Sequence, residues 1–419
     1  MPEPHSDHRQ AASEPEIEDL SAWAPLSVPI FRAFWFASIV SNLGTWIHEV
    51  GAGWLMTELD SSPEMVSAVR LGISTPTMLL AIPVGVLADR IDRRRLLIAT
   101  QVMLFTTTST LATLTFIEAI TSWLLLGLSL LMGVGTVLYV LGWQATVPAL
   151  VPVNQISRAV ALGSMSFNLA RSIGPAVGGL LIAFAGVWIA FAANAISFSV
   201  VLILLLRWRR EPVESAAGLS FGQSMSEGLR FVAGNRTMRH VLIGVLSFLV
   251  PATSLWALLP LVAREQLGMQ AEGFGLLVTM IGLGAVGAAR VLHLLHNWLG
   301  RDRTVTLATI AFAGGLTTLG FSHSGMTAFP ATVMVGGAWM IVLTTLNASA
   351  QMTLPNQLRA RGMGCYMTVM AISMSAGSVL WGQVAGWTGL SVAHWIAAAT
   401  LPITAAVRSI WFRIESAER

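Results

Sequence analysis

The chain has 419 residues, of which 54% are hydrophobic and 11% charged, with 38 glycines besides. Soluble domains carry roughly 25% charged residues, so this chain has too few to cover a soluble surface. All 24 basic residues are arginine, which excludes a lysine Schiff base and a Walker A lysine; the net charge of +3 sits in short loops and offers no nucleic-acid surface.

In chain order, residues 1–24 form a polar tail in which Glu3, Asp7, Glu14, Glu16, Glu18 and Asp19 face a single Arg9. Such a composition predicts a disordered tail that stays on the side where it is made. Apolar runs of about 18 to 25 residues then recur, each long enough to cross a bilayer core of roughly 30 Å. Runs at 33–56, 66–88, 96–117, 123–147, 159–184 and 188–206 predict a six-helix bundle over 25–206. The longest loop, 207–239, opens with Arg207, Arg209 and Arg210. Phe221, Met225, Leu229 and Val232 recur there at helical spacing and predict an amphipathic helix on the inner membrane face. Runs at 240–262, 274–295, 304–321, 327–350, 363–385 and 392–411 predict a second bundle over 240–411, followed by a short tail, 412–419. The chain reads as an all-α polytopic membrane protein with about twelve transmembrane helices in the lipid bilayer.

About twelve spans put both termini on one side. With that side cytoplasmic, 21 of the 24 arginines fall in tails, inner loops or their flanking turns. Arg70 and Arg264 then lie near the outside and Arg171 in mid-membrane. The positive-inside rule therefore predicts a multi-pass protein of a bacterial inner membrane with cytoplasmic termini. The single cysteine, Cys365, excludes an internal disulfide and a cysteine-based metal cage. His293 and His296 have metal-compatible spacing but no third ligand, so neither a metal nor another cofactor is expected.

The two halves echo each other at an offset near 202 residues. Asn154-Gln155-Ile156 matches Asn356-Gln357-Leu358, and Gly85 matches Gly287. A glycine cluster late in the fifth span, Gly174-Pro175-Ala176-Val177-Gly178-Gly179, matches Gly377 to Gly382 in the eleventh. Six-helix pseudo-repeats in parallel place a cavity at their interface near the bilayer midplane.

The loop after the second span, GVLADRIDRRR, closely resembles the signature of the major facilitator superfamily through Gly85, Asp89, Arg90, Arg93 and Arg94. Asp92 stands where the general signature has a second glycine. Gly174, Pro175, Gly178 and Gly179 resemble the antiporter motif of its exporters, with Ala161 and Ala170 replacing two upstream glycines. SNLGTWIHEVGAGWLMTELDSSP and EGLRFVAGNRTMRHVL resemble the transmembrane secretion effector branch. The resemblance implies a gating role for the basic loop, which docks under the eleventh span near Gly362. It also implies a secondary active exporter and not an enzyme.

Within the spans, Glu49 is an acid at membrane depth, which calls for a wet interior or a partner. Asn42, Trp46, Glu49 and Gly53 form one helical stripe. Glu49 is read as a coupling or substrate group, the alternative being a hydrated position near the outer end beside His48. Arg171 shares a face with Asn168 and Pro175 and cannot release its proton. It is read as a holder of an anionic substrate, a tuner of a nearby carboxylate, or a structural partner of helix carbonyls. Tyr139, Trp143 and Gln144 in the fourth span and Asn347 and Gln351 in the tenth are candidate cavity-lining groups. The fourth span lacks the arginine that the superfamily ties to proton transfer. The leading expectation is an alternating-access, proton-coupled exporter of a small amphiphilic molecule such as a drug, siderophore or metabolite, working as a monomer. The rivals are an importer or facilitator on the same fold and a non-transporting membrane sensor or assembly partner.

Overall fold

The computed structural model describes residues 21–90, 92–147, 150–208, 230–355 and 359–412, and within these the side chains of 81–90, 141, 144–145, 168 and 359–361 are excluded. Most of the acidic tail, the loop positions Phe221, Met225 and Leu229, the repeat match Asn356 to Leu358 and residues 413–419 lie outside the described residues.

After a short 3-10 turn, Ala24–Ser27, come α1 (Pro29–Leu59), α2 (Pro63–Arg90), α3 (Arg93–Phe116), α4 (Ser122–Thr146), α5 (Ile156–Ala185) and α6 (Trp188–Arg207). The second half opens with α7 (Arg236–Leu261), which runs on as a π-helical turn, Val262–Gln266. Ala271–Phe321 is one helical run interrupted at Gly300 (φ 74°, ψ 165°), which divides it into α8 (271–299) and α9 (301–321). Then follow α10 (Gly325–Thr353), α11 (Arg359–Thr388) and α12 (Leu390–Trp411). Among the described residues there are thus twelve long helices and no strand. Among the described residues nine helical stretches, Ala271–Phe321 counting as one, are long and apolar enough to cross a membrane; α1 and α2, which carry Glu49 and Arg70, are not among those nine.

Local chemistry sets the boundaries. Pro29 sits in the first turn of α1, where its missing N–H costs nothing. Thr121 caps α4 by accepting from Leu124 N, and Asn235 caps α7 by accepting from Met238 N. Asp92, the departure from the family signature, is the N-cap of α3: its Oδ1 accepts from Arg94 N at 2.8 Å and Arg95 N at 3.1 Å. A glycine there could not make those bonds. Gly186 (φ 89°) turns α5 into α6, and Gly389 (φ 87°) turns α11 into α12, the same left-handed turn at the same point of each half.

Packing follows the repeat. Across the two halves α2 packs on α11 and α5 packs on α8, so the second helix of each half meets the fifth of the other. That exchange is what a pseudo-two-fold axis between parallel repeats requires. The outer flank is apolar, with Leu180, Phe184, Ile196, Ile403 and Ile410 exposed as lipid contact demands. Exposed Trp123, Trp298, Trp387 and Trp411 all stand at helix ends, the depth of a membrane interface.

Candidate functional site

The end of the bundle bearing the two termini is here the terminal end, and the opposite end the distal end. In their distal halves the two cross-half seams are tightly closed by small residues. On the α2–α11 seam, Ser74 and Ser375 are hydrogen-bonded at 2.9 Å, and Gly382 and Gly386 lie against Ser67 and Glu64. On the α5–α8 seam, a Cβ at Gly275 would stand 2.5 Å from the Pro175 carbonyl oxygen and 2.9 Å from Gly179 Cα. A Cβ at Gly179 would meet the Ala271 carbonyl at 2.9 Å. In the terminal halves the spacing differs: a Cβ at Gly163 of α5, Gly287 of α8 or Gly364 of α11 would meet nothing within 4 Å among the described residues. Among the described residues the structure is closed at the distal end.

A distal clasp reinforces the closure. Arg264, on the π-helical turn after α7, donates to Thr57 Oγ1 of α1 at 3.1 Å and stands 5.7 Å over the Trp54 ring. Trp54 in turn stacks on Phe274 of α8 at 6.3 Å.

Just inside the α5–α8 seam lies a ring of five side chains from four helices. Glu49 of α1 accepts from Arg70 of α2 at 2.7 Å. The Arg70 guanidinium stands 5.3 Å over the Trp256 ring of α7. Arg171 of α5 lies 5.8 Å over that same ring and 5.7 Å over Trp46, one turn before Glu49 on α1. The ring closes on itself. A cavity on the Glu49–Arg70 side of the ring is lined by Trp46, Glu49, Arg70 and Trp256, with apolar walls from Val69, Ile73, Leu259, Phe274 and Val278; Arg171 stands behind the two tryptophans and is not part of its lining. Both halves of the molecule therefore contribute to one site.

Glycine makes the ring geometrically possible. A Cβ at Gly174 would fall 2.6 Å from Trp46 Cβ, so only glycine lets α5 bring Arg171 alongside the α1 stripe. Gly178 plays the same part against Ile47, and Gly53 against Pro260 of α7 at 3.3 Å. Asn42 donates to Ser166 of α5 at 3.3 Å, fixing the same helix pair a turn further from the distal end.

The energetics of the ring are uneven. An ionised side chain at membrane depth costs about 2.5–3.5 kcal/mol on insertion scales. Glu49 and Arg70 offset that cost through a charge-assisted hydrogen bond. Arg171 has two aromatic faces, each worth roughly 0.5–2 kcal/mol, and no hydrogen-bond acceptor among the described residues.

Sequence reasoning brought Trp46, Glu49 and Arg171 forward but missed Arg70 and Trp256. Arg70 reads as an arginine near the outside; the structure pairs it with Glu49 inside the bundle. The signal was present, since Arg70 lies seven residues inside α2 and is as costly there as Glu49 in α1. Trp256 carries no such signal, being one tryptophan of fifteen. Tyr139 and Trp143 stack on each other at 6.3 Å and Trp143 packs on Phe34, so their contacts belong to the core of the first bundle and not to the ring. Asn347 and Gln351 are hydrogen-bonded to each other on α10. The side chains of Gln144 and Asn168, and those of Gly85, Asp89 and Arg90 in the signature loop, lie outside the described residues. Arg94 caps the end of α6, donating to the carbonyls of Leu205 at 3.0 Å and Leu206 at 2.9 Å, and Arg93 opens α3. His296 bonds Thr345, and among the described residues no group of acids, histidines and cysteines could hold a metal.

The profile of a family described as "Transmembrane secretion effector" matches residues 20–419. The Staphyloferrin A transporter of Staphylococcus aureus (strain NCTC 8325 / PS 47) is 26% identical over 69% of this chain and 72% of its own length. The multidrug efflux pump Tap of Mycolicibacterium fortuitum is 24% identical over 85% and 89% respectively. Among solved structures, the nucleoside transporter NupG matches with a TM-score of 0.68 over 90% of this chain and 98% of that one; at 12% identity the likeness is one of fold.

Proposed function

The chain belongs to the transmembrane secretion effector family of the major facilitator superfamily and is a multi-pass membrane transporter, not an enzyme, and from this premise we propose that it is a secondary active exporter of a small amphiphilic molecule. The observation that carries the proposal is the ring of Trp46, Glu49, Arg70, Arg171 and Trp256, built from both halves directly beneath a closed seam. A site shared by two rocking halves is what alternating access needs. With the termini in the cytoplasm, closure at the distal end corresponds to the state in which an exporter loads from the cytoplasmic side. The Gly174–Gly179 run at the seam and the efflux role named for Tap support the outward direction.

Protons are the proposed coupling ion, and Glu49 is their carrier. As a carboxylate it is held by Arg70; protonation abolishes that ion pair. A cationic group on the cargo competes with the proton for the same carboxylate, so each leaves as the other arrives. Substrate-induced collapse of a pH gradient in everted vesicles, run beside counterflow exchange, tests this. Glu49→Gln, fixed in the proton-like form that releases the cargo's cationic group, is expected to lose uphill efflux and to retain counterflow only for a cargo without that group. Uphill pumping by that variant moves the coupling elsewhere.

A further inference from the structure

The ring is rich in donors and poor in acceptors. Two guanidiniums share a single carboxylate, and that carboxylate is engaged by Arg70. The Arg171 Nε is buried and meets no acceptor among the described residues. The buried indole N–H of Trp256 also meets none. The Arg171 guanidinium stands 5.8 Å over the Trp256 ring, so the two unfilled donors belong to side chains in direct contact. Aromatic faces stabilise a guanidinium's charge but accept none of its five N–H hydrogen bonds in the plane of the group. The sum over Glu49, Arg70 and Arg171 is one excess positive charge in a low-dielectric interior.

We propose that the ring binds a carboxylate group of the cargo, with Arg171 as the principal partner and the Trp256 N–H as the second donor. This rests on the reading of the ring as the cargo site and narrows the cargo to amphiphiles that carry an acid. A single carboxylate brings the ring to neutrality, and the adjoining cavity, which shares Trp46 and Trp256 with Arg171, supplies apolar walls from Val69, Ile73, Leu259, Phe274 and Val278 for the rest of the molecule. A guanidinium also suits the planar oxyanion geometrically, through paired N–H donors. A purely cationic amphiphile meets two guanidiniums for one carboxylate and is disfavoured. A cargo with both an acid and an amine satisfies Arg171 and Glu49 together, while an acid without an amine binds but is not exchanged for a proton.

The test is equilibrium binding to the purified full-length protein in nanodiscs, using three probes with one fluorophore. Dansylglycine is anionic, its methyl ester neutral and dansylcadaverine cationic, and dansyl emission reports occupancy. Wild type is expected to bind dansylglycine about tenfold tighter than the ester, the worth of one charge-assisted contact, and dansylcadaverine weakest. Arg171→Gln is expected to bring the three within about twofold of one another. Arg171→Lys keeps the charge and is expected to retain the order with a smaller spread, which a purely structural arginine would not produce. Trp256→Phe keeps the ring face and is expected to weaken dansylglycine alone. Equal affinities in the wild type, absence of binding included, overturn the proposal, as does a loss in Arg171→Gln that falls equally on all three. Because binding is read without transport, an anion preference in a protein that fails the vesicle assay sinks the exporter reading and leaves this one standing.

Discussion

At the scale of single residues, Glu49 and Arg70 each justify the other's presence inside the bilayer. Removing either leaves a charge at membrane depth whose partner is gone. Arg70→Gln and Glu49→Gln are each expected to lower stability by about 1.5–3 kcal/mol, the worth of a hydrogen bond to a charged group. The double variant is expected to lose less than the sum, because the orphaned charge is then absent. Thermal unfolding of the purified proteins in detergent reads both quantities, and strict additivity means that the pair is not coupled. Asp92 makes a smaller, local contribution. As an N-cap with two backbone bonds, Asp92→Ala is expected to cost about 1 kcal/mol, visible as a lowered melting temperature, while Asp92→Asn retains most of it.

At the scale of helices, the seams are where shape decides function. Gly275→Ala drives a methyl group to within 2.5 Å of the Pro175 carbonyl, and backbone on both sides cannot give way as a flexible side chain would. Overpacking of this kind costs about 1–3 kcal/mol, and only in the distal-closed state. The variant is therefore expected to shift toward the distal-open state by roughly tenfold in population. Ser67, buried on the α2–α11 seam, provides the readout. In a Cys365→Ser background, Ser67→Cys is expected to react with an impermeant maleimide faster when Gly275 is also replaced. Unchanged reactivity would mean that the seam absorbs the methyl group. A different brace holds α9 to α12: Arg408 donates to Asp302 Oδ1 at 2.7 Å, and to the Asp302 carbonyl and Thr306 Oγ1 at 2.8 Å each. Arg408 is 3% exposed, so Arg408→Met removes the guanidinium from a buried carboxylate and is expected to cost up to about 3–5 kcal/mol. Adding Asp302→Leu is expected to recover most of that loss in the same unfolding measurement.

At the scale of the whole molecule, the second helix of each half meets the fifth of the other, and every cross-half contact described above lies in the distal half or at the ring. A rocking motion of one half on the other must therefore break the seams and the Arg264–Thr57 clasp together. Arg264→Gln is expected to keep the protein stable while raising distal exposure, since the clasp joins the halves without entering either core. Labelling of Ser67→Cys tests this as it tests the seam. The basic loop is proposed to serve the opposite closure. Asp89→Asn is expected to slow transport without reducing insertion, because the substitution removes a charge and no apolar packing. Wild-type rates across a substrate series would remove the loop from the gate.

Much of this molecule is written locally. Apolar runs, arginine placement and the glycine punctuation each depend on neighbours within one helix or loop, so the spans, the two halves and the family resemblance could be read in order along the chain. Glu49 and Arg171 were legible for the same reason: an ionisable residue in an apolar run declares its own cost. Only the tertiary structure decided what meets that cost. Arg70 lies 21 positions from Glu49 in the chain, and Trp256 lies 85 beyond Arg171 in the other half. No helical period links residues on different helices. Their meeting is fixed by how α1, α2, α5 and α7 pack, and that packing depends on where glycine permits backbones to touch, as Gly174 does beneath Trp46.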